Sequence, residues 1–240
     1  MATGFRSDVE PASQTPQPGD RIPALCAGDR LTRVEFERRY EAMPDCKKAE
    51  LLDGVVYMPS PVSFENHGEP HADLTGWLVA YRAVTPGVQV ADNSTVRLDL
   101  DNEPQPDTLV RVLPECGGVT TNYGKYIAGG PELVCEVAAS SVSYDLHQKK
   151  SVYRRHGVQE YLVWRVEESG IDWFVLNEGN YEPLPVGEDG VLRSRIFPGL
   201  WLDPAALLAG DLAKVLAVGA AGVATGEHAD FVKRLQSARQ

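Results

Sequence analysis

PELVCEVAASSVSYDLHQKKSVYRRHGVQEY, residues Pro131–Tyr161, is the stretch on which the reading of this chain turns. It opens with ELVCEVAA, a short valine-rich apolar run that reads as a strand buried on both faces. Side chains alternate along a strand, so Glu136 shares one face with Val134 and Ala138, while Leu133, Cys135 and Val137 share the other. An ionised carboxylate in that position is costly unless a cation, a proton or hydrogen bonds compensate it. The next segment supplies a partner. Ser140, Ser141 and Ser143 are N-cap candidates for a helix running to about His156 and ended by Gly157. Val142, Leu146, Lys149 and Tyr153 recur on it at steps of four, three and four, the stripe that faces a core. Lys149 therefore points inward, whereas Lys150 points about 100° away, toward the flank.

Working outward, the chain has the length of one large domain or two small ones, ample for a full hydrophobic core. Cys26, Cys46, Cys116 and Cys135 are widely spread with no CxxC pair, which signals neither a zinc site nor a disulfide framework. Cys135, inside the buried strand, reads as a small apolar residue. The start MATGFRSDVE lacks the pattern of a signal peptide, and no apolar run approaches the roughly 20 residues of a membrane helix. A soluble, cytoplasmic setting is the expectation. The net charge of -11 argues against tight, non-specific binding to nucleic acid. Lys149, Lys150, Arg154 and Arg155 nevertheless form a local basic cluster, which a solvated helix flank would also produce.

In chain order, residues 1–20 read as a disordered arm rich in Pro, Ser, Thr and Gln. Thr32 and Glu35 have the spacing of a capping box opening a helix to about Ala42. Asp53-Gly54 lies between two apolar runs, Glu50-Leu51-Leu52 and Val55–Met58, the pattern of a tight hairpin. His67 to about Val84 reads as an amphipathic helix. Val96, Leu98 and Leu100 alternate like a strand, and Pro106-Asp107 opens another from Thr108 to Leu113. Gly117–Gly130 reads as a loop. Tyr161–Trp164, Ile171–Leu176 and Val191–Phe197 read as strands. Asp203-Pro204 starts a helix running to about Val218. GAAGVATGEH, residues 219–228, reads as a flexible linker before a short terminal helix. The expected organisation is an arm (1–20), one main domain (21–218) and a linker with a C-terminal helix (219–240). The fold class expected is α/β (α+β), a mixed β-sheet flanked by helices.

Several of these segments together resemble a known family. ELLDGVVYMPSP, a histidine before an amphipathic helix (His71), QPD, PELVCEV, D-x-x-x-K-x-x-x-Y (Asp145, Lys149, Tyr153), GVQEY and FPGLWLD, in that order, resemble the Uma-two family, a bacterial group in the restriction-endonuclease-like PD-(D/E)XK superfamily. The resemblance covers roughly Thr32 to Leu208. It implies a metal-dependent endonuclease that hydrolyses phosphodiester bonds, with DNA the favoured substrate. Asp107 and Glu136 would hold Mg²⁺ or Mn²⁺, with Glu50 joining the metal shell directly or through water. Lys149 would be the catalytic lysine, carried on the helix because residue 138, two after Glu136, is alanine. Lys150, Arg154 and Arg155 would face the substrate. A homodimer is also implied, with the apolar stretch Leu212–Ala224 either a contact between copies or part of its own core.

The residues leave other readings open. Glu136 and Lys149 also fit a buried ion pair without metal, Lys149 alone a snorkelling lysine, Asp107 a strand-start cap, and Glu50 a solvent-facing hairpin carboxylate. His71 fits a cap or core role better than chemistry, Tyr153 and Tyr161 fit core aromatics, and Asp145 fits a helix cap. The alternative function is a nuclease-fold protein that binds or regulates without turnover.

Overall fold

The computed structural model describes residues 22–59, 63–139 and 141–239; the arm expected over 1–20 and the cap candidate Ser140 lie outside them. Helix α1 (Arg33–Glu41) buries Phe36. Thr32 makes no side-chain cap bond, because Glu35 is spent on Arg38 and Arg39 rather than reaching back to close a capping box. The expected hairpin follows, β1 (Glu50–Leu52) with β2 (Val55–Tyr57). Asp53 and Gly54 both have positive φ, 51° and 71°, as a two-residue hairpin turn that matches strand twist requires. A π-helical turn (Phe64–Gly68) leads into α2 (Glu69–Ala83), which buries Leu74, Trp77, Leu78 and Tyr81.

Strand β3 (Val88–Asp92) was not signalled, since only its first residue is fully buried and its sequence alternates weakly. The strand expected through Leu100 shortens to β4 (Val96–Arg97). Next come β5 (Thr108–Val112), and then β6 (Thr121–Tyr123) and β7 (Tyr126–Ala128), a hairpin where a loop was expected. The central strand β8 (Leu133–Ala138) is buried at every position. After it the chain is helical over 142–155, with an interruption: α3 (Val142–Tyr144), a π-turn (Asp145–Lys149) and α4 (Lys150–Arg155). Then follow β9 (Glu160–Arg165), β10 (Gly170–Asn177) and β11 (Asn180–Pro183).

The strand expected over 191–197 reduces to β12 (Leu192–Arg193), paired with β13 (Trp201–Leu202). The remainder turns to satisfy buried Glu160, which accepts from the Ser194 hydroxyl at 2.7 Å and the Arg195 amide at 2.7 Å. The C-terminal region holds α5 (Pro204–Leu208), α6 (Leu212–Val223) and α7 (Gly226–Ala238). Asp203 caps α5 as expected, accepting from Ala206 N at 2.9 Å, but Gly210 ends it and Asp211 caps a separate helix.

The stretch expected as a flexible linker is thus the end of α6, the joint Ala224–Thr225 and the start of α7. Its small residues serve close packing. A Cβ on Gly222 would come within 2.3 Å of the Gly199 carbonyl and 2.8 Å of the Trp201 ring. Val215 is fully buried on the same helix, so one face of the stretch packs on its own core, while Leu216 is exposed.

The fold is α+β. A six-stranded mixed sheet runs in the order β11-β10-β9-β8-β5-β3, with β8 and β9 parallel and the other pairs antiparallel. The parallel pair needs a crossover, and the helical stretch 142–155 provides it. One face carries Leu133, Cys135 and Val137 against α2 and the C-terminal region, with Trp77 donating to the Trp201 carbonyl at 3.0 Å. The other carries Val134 and Ala138 with Tyr153 from the crossover helix. Alternation along β8 therefore sends Glu136 toward the crossover helix, as its sequence position requires.

Candidate active site

The site is assembled by sheet register. In the antiparallel β5–β8 pair Thr108 lies opposite Cys135, so one step on Asp107 lies opposite Glu136. The two residues interlock. Asp107 Oδ2 accepts from Val137 N at 2.9 Å, and Glu136 Oε2 faces Asp107 N at 3.4 Å. Glu50 arrives from the first hairpin, because a bridge between Leu51 and Glu103 lays β1 along the segment leading to Asp107. Its Oε1 accepts from Gln105 N at 2.8 Å. Contrary to the solvent-facing alternative, Glu50 is buried.

Lys149 closes the cluster from the crossover helix. Its ammonium lies 3.0 Å from Glu136 Oε1, 3.1 Å from Glu50 Oε1 and 3.7 Å from Asp145 Oδ1. Tyr153 OH donates to the same Glu136 oxygen at 3.0 Å. The π-turn that Lys149 ends is a local widening of the helix, of the kind that recurs at functional sites. Lys149 is buried and Lys150 only partly so, as the stripe predicts. Asp145 is not a helix cap. It is buried, takes the Ser141 hydroxyl at 2.5 Å and adds a fourth acid around Lys149.

Two residues of this cluster escaped the sequence reading. Lys48 Nζ lies 3.0 Å from Asp107 Oδ1, and His67 Nε2 lies 3.2 Å from Asp107 Oδ2. A signal for Lys48 existed: it stands two residues before Glu50, the spacing that puts side chains on one side of extended chain. His67 stands four residues before His71, one turn away, and their rings are 5.5 Å apart. His71 Nε2 lies 3.0 Å from the Asp107 carbonyl and 2.8 Å from Asp92 Oδ1.

The electrostatics follow from burial. Burial pushes the Glu136 carboxyl up; Lys149 pulls it down, and Asp107, Asp145 and Glu50 push it up further. Burial also pushes Asp107 up, but the hydrogen bond with His67 and the charges of Lys48 and Lys149 outweigh it and hold Asp107 well below the usual carboxylate range. For Lys149 burial disfavours the ammonium, and Glu136, Glu50, Asp145 and Asp107 overcome this, so the lysine keeps its proton. Lys48 behaves alike, with burial opposed first by Asp107 and then by Glu50 and Glu136.

The basic flank is engaged with the protein's own groups. Lys150 Nζ sits 3.2 Å from the centre of the Phe174 ring, Arg154 donates to the Gly179 carbonyl at 2.7 Å, and Arg155 pairs with Asp53. Among the described residues no helix is long and apolar enough to cross a membrane.

Comparison with known proteins agrees with this architecture. Residues 34–205 match the model of the Uma2 family, described as "Putative restriction endonuclease". The chain belongs to this family. Among solved structures, a protein from Anabaena variabilis described as a putative nuclease belonging to DUF820 is similar, with a TM-score of 0.50 and 11% identity over 76% of this chain and 97% of that one. At that identity the likeness shows the fold. No curated protein matches this chain. The Uma2 assignment and the shared fold make the chain nuclease-like.

Proposed function

We propose that this Uma2 protein is a divalent-metal-dependent endonuclease that hydrolyses phosphodiester bonds of DNA. The observation that carries the proposal is the Lys149 ammonium, buried among Glu136, Glu50 and Asp145 beside Asp107. Mg²⁺ or Mn²⁺ fits the chemistry of the donors. Glu50, Asp107, Glu136 and Asp145 are all buried, and against these four acids stand Lys149, Lys48 and His67. Surplus buried carboxylate of this kind is relieved by a hard cation. Among the described residues no three His, Cys, Asp or Glu side chains are grouped to hold an ion. The site therefore offers two carboxylates, Asp107 and Glu136, and needs water to complete a shell, as Mg²⁺ commonly does. When bound, such an ion supplies Lewis-acid stabilisation of charge on the phosphate.

The chain's own residues do the rest. Glu50 and Glu136 hold Lys149 in one rotamer, so that its positive charge is in place where negative charge builds on the phosphate. Tyr153 orients Glu136 from the side away from Asp107. Lys150, Arg154 and Arg155 would exchange their present partners for backbone phosphates. With the net charge of -11, contact with DNA would rest on such local groups and weaken with salt. Cutting both strands calls for two sites, and a homodimer meets that need; sedimentation at tens of micromolar, the order expected of a weak dimer, measures it.

The test is cleavage of supercoiled plasmid in Mg²⁺ or Mn²⁺ by wild type and Glu136→Gln, with cleavage by the first and none by the second as the expected result. A second reading, a silent nuclease fold that binds or regulates, is favoured by the way Lys48 and Lys149 already neutralise the carboxylates. Failure of wild type to cut a broad panel of DNA and RNA with either metal would establish it over the first.

A further inference from the structure

The two lysines of the cluster are held very differently. Lys149 stands on a helix, touches three carboxylates, and its side chain is 4% exposed. Lys48 stands on irregular chain just before β1, its ammonium contacts Asp107, and its side chain is 25% exposed. Behind Asp107, the charges of Glu50 and Glu136 also act on the ammonium. Lys48 thus brings a positive charge from the solvent side to Asp107, one of the two carboxylates offered to the metal.

We propose that Lys48 is an internal counter-ion that occupies the cation position of the site and swings outward when a divalent ion binds Asp107. The proposal rests on the metal reading above, and names the residue that competes with the metal. An ammonium 3.0 Å from Asp107 Oδ1 uses the oxygen that a hard cation would take, and two like charges do not share it. Lys48 has a flexible four-carbon stem and an open side on which to move. Lys149 has the same stem but no open side, buried among three carboxylates, so it stays when the ion arrives. The device keeps the carboxylates compensated in the metal-free protein and sets a threshold of metal concentration below which the site stays closed.

Two measurements test this, and neither needs cleavage. In the first, Mn²⁺ is titrated by calorimetry into wild type, Lys48→Met and Lys48→Arg. Lys48→Met should bind at least about tenfold tighter, the scale of removing one neighbouring like charge, and Lys48→Arg should not. In the second, which uses only wild type, surface amines are acylated with and without Mn²⁺ and mapped by mass spectrometry. Lys48 should be protected without metal and react severalfold faster with it, while Lys149 stays unreactive in both. If wild type binds Mn²⁺ and Lys48→Met binds it no tighter, or if Lys48 labelling does not rise at saturating Mn²⁺, the counter-ion role is overturned while the metal reading stands. Absence of Mn²⁺ binding to all three proteins overturns both.

Discussion

Two clusters of buried charge lie close together in this protein, and they are built differently. One is the Lys149 cluster. The other gathers Glu37, Arg33, Arg97 and Glu103, with Arg97 Nε 2.8 Å from Glu37 Oε1 and 3.6 Å from Glu103 Oε2, and Arg33 Nε 3.4 Å from Glu37 Oε1. The second sets two carboxyl groups against two guanidinium groups, and one of the carboxyls, Glu103, holds its proton well above the usual carboxylate range. Its Arg97 guanidinium also lies 4.9 Å and 4.7 Å from the ring centres of Tyr123 and Tyr126. Arg33 Nε and Arg97 Nε make no aligned hydrogen bond. The first cluster has four acids to two lysines, and one of the lysines reaches it from solvent. Buried ion pairing is therefore no mark of a site by itself. What marks the Lys149 cluster is the number of acids and a lysine that reaches it from the solvent side.

The largest expected effect lies at Lys149. Lys149→Met should lower metal-dependent plasmid cleavage by roughly 10²–10³, the scale of losing one charge-stabilising group. It should also destabilise the fold by about 3–5 kcal/mol, because the acids around it lose their cation. Lys149→Arg separates the two effects: the charge and most of the stability return in chemical denaturation, while the bulkier planar group fails to restore cleavage. Full cleavage by a folded Lys149→Met would erase the contrast between the clusters.

Arg97→Met is the counterpart. It should cost about 1 kcal/mol in the same denaturation measurement, because Glu37 loses one of its two guanidinium partners. Cleavage per folded molecule should stay within about twofold of wild type, well short of the loss at Lys149. A hundredfold drop would mean that the second cluster belongs to the site.

The pH response of the second cluster sharpens the comparison further. Burial, then the hydrogen bond and charge of Glu37, push the Glu103 carboxyl up to about 9, against the pull of Arg97 and Arg33. The folded state holds this proton more tightly than the unfolded chain, so the stability it brings is complete below the ordinary value of 4.5 and is lost as pH rises through about 9. Thermal unfolding of wild type should show stability falling across that window. Glu103→Gln, neutral throughout, should flatten the fall. Parallel slopes for the two proteins would show that Glu103 is not the group responsible.

The smallest effect is expected on the flank. Lys150→Met should slow cleavage only a few-fold, and less at higher salt, the mark of a lost phosphate contact. It also removes the contact with the Phe174 ring, worth about 0.5–1 kcal/mol at an exposed site. A loss as large as that at Lys149, read from salt-dependent initial rates, would place Lys150 inside the chemistry.

Much of the site was legible because its parts announce themselves locally. The valine-rich run around Glu136 can only be a buried strand, and a carboxylate inside it demands a partner. The stripe of Val142, Leu146, Lys149 and Tyr153 put the lysine on the inward face even though the helix carries a π-turn, since a widened turn shifts the stripe without reversing it. The hairpin at Asp53-Gly54 was readable because two adjacent positive φ values admit few residue types. The linker was misread for the converse reason. Glycine and alanine permit flexibility and also permit close approach, and composition does not say which; the Trp201 ring against Gly222 decides it.

Sequence by itself determined the strand–helix–strand unit over 131–161, the face on which Glu136 lies, and which of two adjacent lysines turns inward. Those are properties of periodicity along one element, written within a few residues of each other. Only the tertiary structure decided that Lys48 and His67 meet Asp107, that Asp145 joins the acids, and that a second charged cluster lies nearby. These depend on the register between β5 and β8 and on a bridge joining Leu51 to Glu103, contacts between residues tens of positions apart. Long-range register follows from packing the whole core at once, and no local pattern carries it.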